Sequence, residues 1–157
     1  MPADRFGSPP AIVVAGLAGG AAEIVWLLAY AIAFPVNTSA VAREVTASLV
    51  PDAADSFGAV GLGIGIHLAL SVALAFAFVA LLRQLPPRER SWASIVALAV
   101  ATLVAVWALN FLVVLPLVNP RFITLLPYAA TLFSKALFGA TMGAVLARAR
   151  AFSKTNK

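Results

Sequence analysis

Four long apolar stretches limit what this chain can fold into more than any other feature. A helix needs roughly 20 predominantly apolar residues to cross the hydrocarbon core of a bilayer. The chain reaches that length four times, with single polar residues interrupting the last two stretches. We predict membrane spans at about 11–34, 57–82, 92–117 and 122–147. Pro127 offers a later start for the fourth span, because proline is favoured in the first helical turn.

The composition supports a membrane protein over a soluble one. Hydrophobic residues make up 62% of the chain and charged residues only 11%, whereas soluble domains carry about 25% charged residues. The short connections between spans favour antiparallel neighbours. The sequence therefore predicts a single all-α domain over residues 1–157, an integral membrane four-helix bundle with up-down topology.

The basic residues are distributed unevenly between the two sides of the predicted bundle. One side carries only Arg43 and Arg121 outside the spans. The side with both termini and the middle loop carries eight cations: Arg5, Arg83, Arg88, Arg90, Arg148, Arg150, Lys154 and Lys157. Cytoplasmic loops carry such an excess of Lys and Arg, so we expect both termini in the cytoplasm.

The net charge of +5 raises the question of nucleic acid. No DNA-binding motif accompanies it, and cations that flank spans contact anionic lipid headgroups. We therefore expect the lipid bilayer as a partner and no nucleic acid. The chain has no cysteine, which excludes disulfides and cysteine-ligated metals.

The connection between the first two spans is the only sizeable segment outside the membrane. Val41, Val45 and Leu49 recur every four residues, with Arg43 and Glu44 on other faces. This periodicity is typical of a short amphipathic helix, which we predict at about 39–49, lying at the outer interface.

Each predicted span contains one polar residue that is costly to place in lipid. Counted from the outer ends at 1.5 Å per residue, all four lie about 10–20 Å deep. They therefore form one layer in the outer half of the membrane. The residues are Glu23, His67, Asn110 and Lys135.

Small residues indicate which way this polar layer points. Three pairs of glycines have the three-residue gap of close helix packing in lipid, and we predict that they are packing residues. They follow faces shared with the polar layer, which should therefore point inward. The pairs are Gly16 and Gly20, Gly61 and Gly65, and Gly139 and Gly143.

A single charge at the centre of an inserted helix costs about 2.5–3.5 kcal/mol. We predict that Glu23 pairs with Lys135 for this reason, with His67 and Asn110 completing the network. Two interpretations of the pair stay open: a structural clasp that fixes helix register, and a proton or ion relay.

Catalysis finds little support in the residues. A lone histidine, His67, excludes haem with two histidine ligands from one chain, and no metal-ligand spacing is present. Ser71 and Ser134 lack a recognisable set of base and orienting residue. His67 and Ser71 lie one turn apart, as an intramembrane hydrolase could use, but adjacent positions on a small-residue stripe explain this spacing more simply. We expect no cofactor, no bound metal and no enzymatic activity.

The stretches "AEIVW", "GIHLALS" and "NFLVVLPLVNP" resemble segments of uncharacterised four-span proteins of bacterial inner membranes. The resemblance implies a multi-pass protein of the inner membrane and no particular activity.

Two functional hypotheses follow from these observations. The first is an accessory, structural or interaction protein that packs in a homo-oligomer or a larger membrane complex. The alternative is a small oligomeric transporter or proton- or ion-conducting module that uses the polar layer. Small residues left facing lipid favour the first hypothesis, and a hydrated cavity that reaches Glu23 or His67 from the outer side favours the second.

Overall fold

A computed structural model of the chain describes residues 8–86 and 91–155, without the side chains of residues 152–155. Within these residues there are five helices and no strand, and four of the helices are long and apolar enough to span a membrane. The prediction of an all-α helical bundle is confirmed. Arg5, Arg88, Arg90 and Lys157 lie outside the described residues, as does the side chain of Lys154.

The helices begin and end close to the predicted positions, except in the last span. Helix α1 is Pro9–Ala33, α2 is Thr38–Leu49, α3 is Ala59–Arg83, α4 is Trp92–Val118 and α5 is Tyr128–Thr155. Residues 122–124 form a short 3₁₀ turn instead of starting the span. The Pro127 carbonyl accepts hydrogen bonds from the backbone N–H groups of Ala130 and Thr131 and so opens α5.

Helices α1 and α5 form the centre of the bundle. Helix α3 packs on the outer side of α1, and α4 packs on the outer side of α5. Gly19 of α1 lies against Phe138 of α5, and Trp26, two turns later in α1, reaches back to Ala130. These contacts run in opposite directions along the two helices, so α1 and α5 are antiparallel. We call the side where α1 begins and α5 ends the terminal side, and the other the α2 side.

Glycines allow the closest approach between α1 and α3. A Cβ added to Gly16 would lie 2.7 Å from Val72 Cα, and one added to Gly20 would lie 2.5 Å from Ser71 Oγ. Both values are below normal van der Waals separation, so the backbones meet only because these side chains are absent.

The same arrangement joins α5 to α4. A Cβ added to Gly139 would lie 2.7 Å from Val100 Cα, and one added to Gly143 would lie 2.9 Å from Val96 Cα. The positions again run in opposite directions, which makes α4 and α5 antiparallel.

The structure departs from the packing prediction at Gly61 and Gly65. An added Cβ at either position would have no described atom within 4 Å. Gly63 between them lies against the Ala42 carbonyl of α2 instead. All three glycine pairs have the same spacing, but Gly61 and Gly65 lie on a face of α3 that no other described helix covers.

A close-packed apolar core fills the terminal half of the bundle. Its members come from all four spans and are almost fully buried. The core residues are Ile12, Ala15, Ala75, Phe78, Val79, Leu82, Ile95, Ala99, Leu103, Phe138, Met142, Leu146 and Ala147.

Helix α4 contains one turn of π-helix at Asn110–Val114. Pro116 follows it and has no N–H to donate to the Leu112 carbonyl, and its ring would clash with that carbonyl in a regular α-helix. The wider turn, in which Leu115 donates to the Asn110 carbonyl, avoids this clash.

Candidate functional site

Helices α3 and α4 follow each other in the chain but hardly touch within the described residues. The bundle is therefore open along this edge, and a cavity of about 600 Å³ lies in its α2-side half. Most of the lining is apolar, from all five helices, and the polar layer lies at its inner end. Ligand sites typically have volumes of about 300–1,000 Å³, so the cavity is large enough for a small guest.

Helix α2 covers the cavity on the α2 side. The Asn37 side chain caps its first turn by accepting from the Ala40 N–H at 3.1 Å. The buried Thr46 hydroxyl donates to the Ala59 carbonyl of α3 at 2.6 Å. Val41 and Val45, two of the residues that define its predicted apolar face, line the cavity. The helix therefore packs on the bundle with this face, and its position at the outer interface stays a prediction.

Asn119 ties α2 to the end of α4. Its amide nitrogen lies 2.9 Å from Glu44 Oε2, 3.2 Å from the Glu44 carbonyl and 3.1 Å from Ser48 Oγ. Asn119 is buried, so these acceptors are shielded from competing water. Helix α2 thus bridges α3 and α4 at the α2 side, above the gap between them.

Replacing Asn119 with alanine is expected to loosen this bridge. The loss leaves the Glu44 and Ser48 acceptors without their donor, at a cost of about 1–3 kcal/mol. Hydrogen exchange of the α2 amides in residues 38–49 should become roughly tenfold faster or more. Arg121→Ala serves as the control, since Arg121 is 86% exposed and lies 3.9 Å from Glu44. Unchanged α2 exchange in Asn119→Ala would exclude a bridging role for Asn119.

Glu23 and Lys135 meet at the inner end of the cavity. Lys135 Nζ donates to Glu23 Oε2 at 2.7 Å, and the glutamate is buried. Ser134 Oγ lies 3.0 Å from the other carboxylate oxygen, Oε1. The Lys135 ammonium also lies 5.7 Å from the centre of the Phe138 ring, at the border of the apolar core. The structure thus brings the two predicted charges into direct contact, while their functional role stays a prediction.

His67 lies beside this pair without joining it by a hydrogen bond. Its Nε2 is 3.2 Å from the Gly20 carbonyl and 3.8 Å from Glu23 Oε2. A carbonyl only accepts, so Nε2 carries a proton and donates to Gly20. In the neutral ring, Nδ1 is then left as an acceptor.

Ser134 has one hydroxyl proton and two acceptors within reach. Its Oγ lies 2.8 Å from the Thr131 carbonyl and 3.0 Å from Glu23 Oε1. With its proton directed to Thr131, Ser134 accepts from a protonated Glu23; with its proton directed to Glu23, it binds the carboxylate. The same heavy-atom geometry therefore accommodates both protonation states of Glu23.

Asn110, the fourth member of the predicted polar layer, lies outside this group of contacts. Its half-buried side chain lines the cavity but makes no hydrogen bond to residues 8–86 or 91–155. It belongs to the α4 wall of the cavity.

Two tryptophans hold the first turns of α5 against its neighbours. Trp26 Nε1 donates to the Ala130 carbonyl, and Trp107 Nε1 donates to Thr131 Oγ1, both at 3.0 Å. Sequence analysis did not assign these roles, nor those of Ser134 and Asn119. The only signals were that Ser134 adjoins Lys135 and that each tryptophan lies about one turn from a polar residue of the layer.

The gap between α3 and α4 opens the cavity toward lipid. Ile64 and Leu70 of α3 and Leu109 of α4 line the cavity and are 41%, 48% and 59% exposed. They belong to spans at the depth of the hydrocarbon core, so their exposed surface faces acyl chains. The cavity is therefore a lateral, apolar recess that ends on ionisable groups.

No family model matches the chain, and no curated protein or solved structure is similar to it. Among the described residues there is no group of three or more histidine or acidic side chains able to hold a metal ion. The polar side chains at the site are one ion pair, one imidazole, one amide and several hydroxyls.

Proposed function

We propose that this multi-pass membrane protein is a non-catalytic accessory protein that holds a lipid-like guest in the recess between α3 and α4. One observation carries the proposal: an apolar cavity, open toward the acyl chains, ends on the Glu23–Lys135 pair. A guest with an apolar body and a polar end matches both parts of this surface.

The packed terminal half of the bundle favours a protein that binds its guest over one that moves it across the membrane. Below Lys135 the bundle is filled by Phe138 and the rest of the apolar core, whose side chains are almost fully buried. Passage to the terminal side would require this core to open. Binding at the recess requires no such rearrangement.

The proposal includes a location and an orientation. The resemblance of three segments to bacterial four-span proteins supports the inner membrane, and the excess of cations supports cytoplasmic termini. Gly61 and Gly65 face open space on α3 and support assembly with a second copy or a larger membrane complex. Size analysis after extraction in a mild detergent tests this assembly.

Native mass spectrometry of the protein released from lipid nanodiscs tests the guest directly. We expect a stoichiometric adduct of lipid mass that survives mild activation. Val106→Phe, which adds bulk to the cavity wall, should remove the adduct, whereas Val113→Phe, on exposed surface outside the lining, should keep it. Absence of any adduct, or equal retention in both variants, would contradict the proposal.

A proton- or ion-conducting module is the second candidate. It is favoured by the contact of Ser134 with Glu23, which fits both protonation states of the carboxylate. Proton flux into liposomes, measured with an entrapped pH-sensitive dye, distinguishes the two functions. Flux that Glu23→Gln abolishes would support conduction, and flux equal to that of empty liposomes would exclude it.

A further inference from the structure

We propose that the guest is an uncharged lipid whose polar end carries carbonyl oxygens, and that Lys135 and Asn110 donate hydrogen bonds to it. This inference rests on the proposed function and adds the chemical class of the guest. It follows from the donors that the recess leaves unfilled and from the charge of its lining.

Lys135 has donors to spare. An ammonium group has three N–H donors, and within the described residues Lys135 gives only one, to Glu23. The side chain is 18% exposed and lines the cavity, so the remaining donors lie at its inner end. In a lipid environment no bulk water fills them, and an oxygen acceptor on a guest is the matching group.

Asn110 supplies a second unfilled donor on the α4 wall of the cavity. Its amide lines the same cavity and makes no hydrogen bond within residues 8–86 and 91–155. In its neutral form the His67 ring adds an acceptor at Nδ1, suited to a hydroxyl group. The polar end of the recess thus presents mainly donors, and carbonyl oxygens satisfy them.

The charge of the lining argues against an anionic headgroup. The only charged side chains in the lining are Glu23 and Lys135, which already neutralise each other. A phosphate brought to this place would lose its hydration and meet the Glu23 carboxylate without a cation of its own. Arg43 does not line the cavity, and its guanidinium binds the carbonyls of Ala54 and Ser56.

These polar contacts must supply the selectivity. A guest that moves from the bilayer into an apolar recess exchanges one apolar environment for another, so apolar burial adds little. A hydrogen bond to a charged donor contributes about 1.5–3 kcal/mol. A lipid with the same chains and a phosphate carries the same ester carbonyls, so the phosphate, which loses its hydration beside Glu23, makes the difference. We expect at least a roughly tenfold preference for the neutral lipid.

Tryptophan fluorescence provides the test, because Trp26 and Trp107 line the cavity and Trp92 does not. The full chain carrying Trp92→Phe is placed in phosphatidylcholine nanodiscs. Diacylglycerol with brominated acyl chains is titrated in, and phosphatidate with the same brominated chains is titrated in parallel. Diacylglycerol should quench saturably at roughly tenfold lower mole fraction than phosphatidate.

Two variants locate the binding. Asn110→Leu should weaken the diacylglycerol quenching about fivefold, the effect of one neutral hydrogen bond, and Val113→Leu on the lipid-facing surface should leave it unchanged. Saturable quenching that favours phosphatidate would overturn the inference and leave the proposed function standing. Quenching that rises without saturation for both lipids, and is the same in Asn110→Leu, would overturn both.

Discussion

Lys135→Met is expected to destabilise the bundle by about 3–5 kcal/mol, the largest effect of any single substitution outside the core. Removing one partner of a buried ion pair leaves the other charge without compensation. Here Glu23 keeps the Ser134 hydroxyl at 3.0 Å but loses the ammonium at 2.7 Å. Glu23→Met should cost a similar amount, because Lys135 then has no acceptor among the described residues. Reversible unfolding in mixed detergent micelles measures both changes.

The double variant Glu23→Met with Lys135→Met separates a pair from two independent charges. With both charges gone, nothing buried is left unpaired, and most of the lost stability should return. If the loss of stability in the double variant equalled the sum of the losses in the two single variants, the pairing would be contradicted. So would a Lys135→Met protein of unchanged stability beside a Glu23→Gln protein that fails to fold.

Gly139→Ala is expected to destabilise the protein by about 1–3 kcal/mol, the usual cost of overpacking. The added Cβ would lie 2.7 Å from Val100 Cα and 2.8 Å from the Ala99 carbonyl oxygen. Both are backbone atoms of α4, which move only if the whole helix shifts. The same unfolding measurement detects the change.

Gly65→Ala is the matched control for Gly139→Ala. No described atom lies within 4 Å of a Cβ at this position, and alanine stabilises a helix by about 0.5–1 kcal/mol relative to glycine. The substitution should therefore be neutral or stabilising in dilute micelles. Equal destabilisation in the two variants would show that Gly139 is not required for the contact between α4 and α5.

The sequence was sufficient to predict the spans, because a bilayer requires only that a helix be long and apolar enough to cross it. Alternating spans also place Glu23 and Lys135 at similar distances from the same side, while the depth of the polar layer in a membrane stays a prediction. Their contact needed only that both point inward, which the neighbouring glycines indicated.

The sequence did not predict which helices lie side by side. Short loops favour contact between consecutive spans, yet α3 and α4 leave a gap, because the glycines of α1 and α5 draw these flanking helices to the central pair. Gly61 and Gly65 have the right spacing but face away from these contacts. The spacing of residues in the sequence indicates that they share one face of a helix. It does not indicate which neighbouring helix covers that face.

The rest of the site depends on long-range contacts that leave no local pattern. Asn119 lies in the connection between α4 and α5 and binds Glu44, which is 75 positions away in the chain. Asn110 lines the cavity because α4 packs on α5 and hardly touches α3, an arrangement that spans distant parts of the chain. Neither arrangement can be inferred from residue type and spacing.

Solid-state NMR of the protein in lipid bilayers tests the central claim, the contact between Glu23 and Lys135 within the membrane. Dipolar recoupling between lysine ¹⁵Nζ and glutamate ¹³Cδ measures their separation, and Lys135→Met assigns the signal by removing it. We predict strong coupling, as required by a 2.7 Å contact between Nζ and Oε2. A Lys135 nitrogen with no glutamate carboxyl carbon in range would contradict the account.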